Sequence, residues 1–169
     1  MEMDGINQHM VQCHGAKDNV KGIIGKLNKN MNVNKKYKTG ICWGSWDGLH
    51  VGHLNLLRKA SKYCDILYVG VSTDDYIRKV KGHDPMFSYK SRVMSLKIFA
   101  KQFITKVFPQ NLGCYSKKNI IKKINLDIIF VGSDWKNKEW EGSNLGIKIK
   151  YIPYTKEISS TMLRLKKIK

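Results

Sequence analysis

Two histidines three residues apart, His50 and His53, with Gly52 between them, are the residues of this chain best suited to chemistry. They close the stretch Gly44-Ser45-Trp46-Asp47-Gly48-Leu49-His50-Val51-Gly52-His53. The apolar run before it, Thr39-Gly40-Ile41-Cys42-Trp43, predicts a short buried strand, and Leu54 to Ala60 after it repeats apolar residues at helical spacing. The pair therefore falls where a strand hands over to the first turn of a helix. Free backbone N–H groups and the positive end of the helix dipole meet there, which suits an anion such as phosphate. Two imidazoles facing one anion could donate hydrogen bonds to charge that builds up in a transition state. Gly52 has no Cβ and lets backbone or ligand approach closely.

From Tyr37 onward, strands and helices alternate. Strands are expected over 38–44, 65–71, 104–108, 126–131 and 147–152, the third ended by Pro109. One helix follows the histidines. A short one over 75–80 is capped by Thr73 and Asp74, and another runs from Ser88 to Ala100 with Val93, Leu96 and Phe99 inward. Ser116 caps a helix reaching Ile124, and a last helix covers 160–167. This order predicts an α/β fold: a Rossmann-like parallel sheet with helices on both faces. Ligands of such sheets bind outside the carboxyl ends of the strands. Residues 37–169 make one domain. Residues 1–36, with a candidate helix over 18–29 and a polar linker over 28–36, read as a loosely ordered extension, dispensable for chemistry.

Two more stretches fall at strand ends. Gly132-Ser133-Asp134-Trp135 offers a carboxylate and a large aromatic, suited to a base and ribose. Ile158-Ser159-Ser160-Thr161 offers hydroxyls and free N–H groups at a helix start, suited to phosphates.

The 169 residues carry 31 Lys and Arg against 13 Asp and Glu, a net charge of +18. Such a charge attracts polyanions, nucleoside triphosphates among them. The lysines are spread along the chain rather than gathered, so no nucleic-acid partner is expected, and only weak association with anionic membranes. No apolar run is long enough for a transmembrane helix. Met1 to Gln12 carries Glu2 and Asp4 and no apolar stretch, so no secretory leader is expected. Cys13, Cys42, Cys64 and Cys114 are widely spaced and form no C-x-x-C pair, which suits a reducing cytoplasm. Cys42 and Cys64 lie in apolar contexts and read as buried thiols. His9, His14 and His83 lack motif partners and read as surface histidines.

The stretch from Gly44 to His53 resembles the HxGH signature of the cytidylyltransferase family, within the nucleotidylyltransferase superfamily, with Trp46 in place of the family's Phe. Gly132-Ser133-Asp134-Trp135 resembles the Gly-Asp-Asp-Trp string of glycerol-3-phosphate cytidylyltransferases, with Ser133 for one Asp. Tyr154-Thr155-Lys156-Glu157-Ile158-Ser159-Ser160-Thr161 is similar to the family's Arg-Thr-x-Gly-Ile-Ser-Thr-Thr, with Tyr154 for Arg and Glu157 for Gly. The resemblance spans about Tyr37 to Leu165 and implies transfer of a cytidylyl group from CTP to a phosphorylated alcohol. The products are a CDP-alcohol, of the kind used for phospholipid or cell-surface polymer synthesis, and pyrophosphate. Glycerol 3-phosphate is the nearest acceptor and phosphocholine the next. The resemblance implies catalytic roles for His50, His53 and Lys81. It implies nucleotide contacts from Gly44, Ser45, Trp46, Arg92, Asp134, Trp135, Ser159, Ser160 and Thr161, and an acceptor contact from Asp47. Mg²⁺ is expected to bind mainly through the triphosphate, and a homodimer is expected. The alternatives are an adenylyltransferase using ATP with a sugar or flavin phosphate, and a non-catalytic basic binder of nucleic acid or anionic membrane.

Overall fold

The computed structural model describes residues 35–156 and 158–166. The candidate helix over 18–29 and the linker to residue 34 lie outside them, as does Glu157. Five strands form one sheet: β1 Tyr37–Gly44, β2 Cys64–Ser72, β3 Lys106–Gln110, β4 Ile128–Gly132 and β5 Lys148–Ile152. They pair in the order β3-β2-β1-β4-β5, and every pairing is parallel. The chain builds outward from β1 to β3, then crosses back to lay β4 on the other side of β1. Neighbouring strands β1 and β4 therefore flank a topological switch point, where the loops diverge and leave a crevice.

Five helices connect and close the sheet: α1 Val51–Ala60, α2 Asp74–Lys81, α3 Tyr89–Phe99, α4 Lys117–Lys123 and α5 Ser160–Lys166. Local chemistry explains their limits. Thr73, Ser88 and Ser116 each accept a bond from a backbone N–H three residues on, capping α2, α3 and α4. Gly82 ends α2 in the left-handed conformation, φ 69°, which glycine adopts without a Cβ penalty.

The sheet is buried on both faces. On one, Cys42, Val69, Val71 and Phe130 pack with Leu57 of α1 and Leu96 of α3. On the other, Ile41 and Ile129 pack with Ile120 of α4. The expected parallel α/β sheet with helices on both faces is the observed one. Cys42 and Cys64 are buried as expected; burial pushes both thiols up, that of Cys64 to about 11.

Two expectations are corrected. Pro109 lies inside β3 rather than ending it, paired with Val71. β3 is an edge strand, where one side of the ladder is unpaired and a residue without an N–H is tolerated. Phe99 does not point inward but is 59% exposed, whereas Ala100 is fully buried. The apolar stripe of α3 runs through Val93, Leu96 and Ala100, and Phe99 falls at its outer margin.

Gly70 of β2 lies opposite Trp43 of β1, and the indole lies across its Cα, in the space a Cβ would fill. Gly70→Ala is expected to destabilise the fold by about 1–3 kcal/mol in urea titrations. Trp43→Leu in the same chain should return part of the loss. A Gly70→Ala protein as stable as the wild type would refute this contact.

Candidate active site

The turn between β1 and α1 is held by an unusual backbone. Trp46 and Gly48 both take positive φ, 54° and 59°. For a tryptophan this conformation costs about 1–2 kcal/mol. Burial offsets it: the indole is 2% exposed and donates its N–H to the carbonyl of Gly70 at 3.0 Å. The turn drops Trp46 against the sheet, and its ring meets that of His53 at a centroid distance of 5.2 Å.

Helix α1 starts three residues earlier than its apolar repeat suggests, so both histidines belong to its N-terminus. His50 is the N-cap, and its Nδ1 accepts a bond from the Gly52 N–H at 3.1 Å. In the neutral ring that leaves the proton on Nε2. A Cβ on Gly52 would sit 2.9 Å from the His50 ring, so only glycine lets the imidazole fold over the helix start. His53 stands one turn along, and the rings stack at 3.8 Å with 23° between planes. Burial lowers the His50 pKa. Burial, then the neighbouring His50 and Lys81, brings that of His53 down to about 3. Both imidazoles are therefore neutral near pH 7, and each presents a single N–H donor. Nδ1 of His53 is buried with no hydrogen-bond partner among the described residues.

The rings open into a cleft of about 580 Å³ at the carboxyl ends of β1 and β4. Gly44, Ser45 and Trp46 line it beside the histidines. Lys81, at the end of α2, donates to the Ser45 hydroxyl at 3.3 Å. Burial and then Arg164 lower its pKa, although the side chain keeps solvent contact. Asp134 and Trp135 lie on a 3₁₀ turn over Ser133–Trp135 and line the same cleft. Ser159, Ser160 and Thr161 line the rim at the start of α5. Two of these hydroxyls have partners already. Ser159 accepts the N–H of Met162, and Ser160 donates to the carbonyl of Asp47 at 2.7 Å.

Two expected ligands stand behind the cleft wall instead. Asp47 is 1% exposed, and its carboxylate oxygens accept the N–H groups of Met86 and Phe87 at 2.8 and 3.0 Å. An acceptor would have to displace both bonds to reach it. Arg92 is also 1% exposed. Its guanidinium bonds the carbonyls of Phe87 and Ser45 and pairs with Asp74 at 2.7 Å. In this conformation Asp47 and Arg92 position the loops that carry ligand-facing groups.

The cleft also gathers residues the sequence did not single out: Trp43, Tyr76, His83, Gln110, Lys117, Trp140, Glu141 and Arg164. His83, read as a surface residue, is half-buried and lines the cleft. Lys117 follows the cap Ser116, but among so many lysines nothing in its spacing marks it. Its Nζ donates to the Glu141 carbonyl at 2.8 Å, and Tyr76 donates its hydroxyl to the Glu141 carboxylate at 2.7 Å. Burial lowers the Lys117 pKa, with Glu141 opposing. Burial and Glu141 raise that of Tyr76. A second hollow, about 650 Å³, opens among Ser116, Lys118 and residues 139–145 and holds none of the motif residues.

A family model described as cytidylyltransferase-like matches residues 41–166, which include the whole cleft. The chain belongs to the cytidylyltransferase-like family. It is 30% identical over 127 residues to a glycerol-3-phosphate cytidylyltransferase of Staphylococcus aureus, covering 75% of this chain and 92% of that one. The corresponding enzyme of Bacillus subtilis is 31% identical over 128 residues, 75% of this chain and 95% of the other. A bifunctional protein HldE of Nitratiruptor is 31% identical over 124 residues, 71% of this chain and 25% of that larger protein. Among solved structures, a lipopolysaccharide core biosynthesis protein from Thermoplasma volcanium aligns with a TM-score of 0.55 at 24% identity. It covers 70% of this chain and 96% of that one, and the likeness is one of fold. Among the described residues, no helix is long and apolar enough to cross a membrane.

The neutral His53 gives this family member a pH signature. Its pKa of about 3 in the fold lies below the ordinary value of about 6.5 that the unfolded chain regains. Between these values the unfolded state binds the extra proton. Stability from this group is complete above about pH 6.5 and is lost as pH falls toward 3. Urea midpoints measured from pH 7 to 4 should fall more steeply for the wild type than for His53→Gln. Equal slopes would mean that His53 titrates alike in both states.

Proposed function

We propose that this family member transfers a cytidylyl group from CTP to a small phosphorylated alcohol, with glycerol 3-phosphate the leading acceptor. The observation that carries the reading is the stacked pair of neutral imidazoles at the start of α1, opening into the cleft between β1 and β4. The glycerol-3-phosphate cytidylyltransferases among the relatives support the choice of base and acceptor.

A phosphate oxygen of the acceptor attacks the α-phosphorus of CTP in line, the bond to the β-phosphate oxygen breaks, and pyrophosphate leaves. The acceptor phosphate is already a charged nucleophile, so no covalent enzyme intermediate is required. Catalysis reduces to positioning and charge stabilisation. His50 and His53 donate N–H groups to oxygens on the α-phosphorus as charge grows there. Lys81 faces the same charge. Ser159, Ser160 and Thr161, with free N–H groups of α5, face the β- and γ-phosphates; Ser160 would release the Asp47 carbonyl to do so. Asp134 and Trp135 hold the cytidine, the exposed Trp135 offering its indole for stacking.

Among the described residues, no three His, Cys, Asp or Glu side chains are grouped as a ready metal cage. A Mg²⁺ would be carried mainly by triphosphate oxygens and water, with Asp134 a motif carboxylate that lines the cleft and could meet it. Bound so, the ion would withdraw charge from the phosphates. A homodimer would find apolar surface on the outer face of α3, where Met94, Ile98 and Phe99 are exposed.

His50→Ala and His53→Ala are each expected to lower kcat by about 10²–10³, the usual loss of one preorganised donor, while circular dichroism remains that of the wild type. Turnover within a few-fold of wild type in either variant removes these residues from the mechanism. With CTP and ATP present at equal concentration and glycerol 3-phosphate as acceptor, the CDP-alcohol should form faster. Predominant adenylyl product would assign the chain to ATP.

A further inference from the structure

This inference rests on the reading just proposed: the acceptor shares the cleft with CTP, and the side chains that gather at one end of it around Lys117, and that the motifs do not claim, bear on which acceptor it is. Lys117 sits between two indoles, its Nζ 5.9 Å from the ring centroid of Trp43 and 5.5 Å from that of Trp140. The side chain is only 11% exposed. Both separations lie within the reach of cation–π attraction. Aromatic walls beside a carboxylate are the apparatus with which proteins hold quaternary ammonium groups. Here the cavity of that apparatus already holds a cation, supplied by the chain. Glu141, the carboxylate that would otherwise draw in an ammonium, bonds Tyr76 and stands 3.9 Å from the Lys117 ammonium.

The remaining polar atoms have the opposite preference. The indole N–H of Trp140 is buried without a partner among the described residues. The Gln110 amide oxygen accepts from the Ser72 hydroxyl, and its Nε2 is buried with no hydrogen-bond partner among the described residues. Lys117 spends one N–H on the Glu141 carbonyl and keeps others to offer. This end of the cleft is thus rich in donors and already cationic. It matches a chain of hydroxyl oxygens, which accept from such donors and return a proton to a carboxylate. It opposes a second positive charge, which would stand close to the Lys117 ammonium behind poorly hydrated walls.

We propose that the box of Trp43, Trp140 and Lys117 is the acceptor-specificity element. It selects a phosphorylated polyol and rejects amino-alcohol phosphates such as phosphocholine and phosphoethanolamine. Lys117 acts here as a built-in competitor for the onium position.

The test compares kcat/KM of the full-length protein with CTP for glycerol 3-phosphate, phosphocholine and phosphoethanolamine. Acceptor binding is read separately from the quenching of tryptophan fluorescence. The wild type is expected to favour glycerol 3-phosphate over both amino-alcohol phosphates by at least a hundredfold. Lys117→Met keeps an apolar stem between the indoles and removes the charge; it should narrow the gap at least tenfold, chiefly by improving phosphocholine. Trp140→Phe keeps a ring and removes the N–H, so it should weaken glycerol 3-phosphate binding and leave phosphocholine unchanged. It also serves if Lys117→Met fails to fold. A wild type that binds phosphocholine as tightly as glycerol 3-phosphate overturns the proposal. So does a gap unchanged in a folded Lys117→Met and in Trp140→Phe. A protein that discriminates in binding but transfers no cytidylyl group keeps the box and loses the reaction. One that turns over phosphocholine preferentially keeps the reaction and loses the box.

Discussion

The buried guanidinium of Arg92 is the point on which the cleft depends. It reaches from α3 to the carbonyl of Ser45 after β1, to Asp74 at the start of α2, and to the carbonyl of Phe87 in the loop before its own helix. Asp47 extends the knot by gripping the N–H groups of Met86 and Phe87, and Ser160 adds α5 by donating to the Asp47 carbonyl. Loops from three parts of the sequence are thereby fixed above the carboxyl ends of the strands. A guanidinium taken from water is costly unless its donors are met, and losing one partner of a buried pair costs about 3–5 kcal/mol. Asp74 keeps solvent contact, which places this pair toward the lower end of that range. The energy goes into loop geometry: without the knot, Ser45 and Lys81 would lose their shared position beside the histidines.

The electrostatics of the cleft follow from that geometry. Lys81, Lys117 and Arg164 face a common space, and burial lowers the pKa of both lysines. Two imidazoles sit among them and stay uncharged. A cleft that resists further protonation while holding several cations is stabilised by a polyanion, which compensates charge and satisfies the orphaned N–H groups together. The net charge of +18 acts at longer range, concentrating anions near the surface until salt screens it over about 10 Å at 0.1 M. The spread of lysines along the chain is therefore compatible with a small anionic substrate and needs no nucleic-acid partner.

Most of the architecture was legible in the sequence because it rests on periodicity. Runs such as Ile66 to Val71 are apolar throughout, as strands buried on both faces must be, and Thr73, Ser88 and Ser116 announce helix starts through their hydroxyls. The histidine pair was legible because a strand-to-helix turn is a local event. What escaped the sequence is what tertiary contact decides. Phe99 and Ala100 exchange inside for outside at the end of α3. Pro109 is admitted to a strand because that strand lies at an edge. Asp47 and Arg92 carry charges suited to a ligand, yet the fold uses them on its own backbone. Conversely, Lys117 and Glu141 enter the cleft from a helix and a loop whose local pattern gives no sign of it. A charged residue announces that it needs a partner, and only the packing says whether that partner is a ligand or the chain.

The departures from the family pattern illustrate the same rule. Ser133 stands where the family string has an Asp, and Tyr154 where the motif has an Arg. The two positions touch: the hydroxyl of Ser133 accepts the backbone N–H of Tyr154 at 2.9 Å. Tyr154 in turn donates its hydroxyl to the carbonyl of Ile158, bracing the approach to α5. A carboxylate and a guanidinium could have paired across this gap; a hydroxyl and a phenol brace it without charge. The cleft still contains a guanidinium, since Arg164 lines it from α5, its Nε buried with no partner among the described residues. Arg164, on the helix that this loop leads into, adds its charge to those of Lys81 and Lys117 along the same cleft. That is why the cleft keeps its cationic character although one motif position is lost.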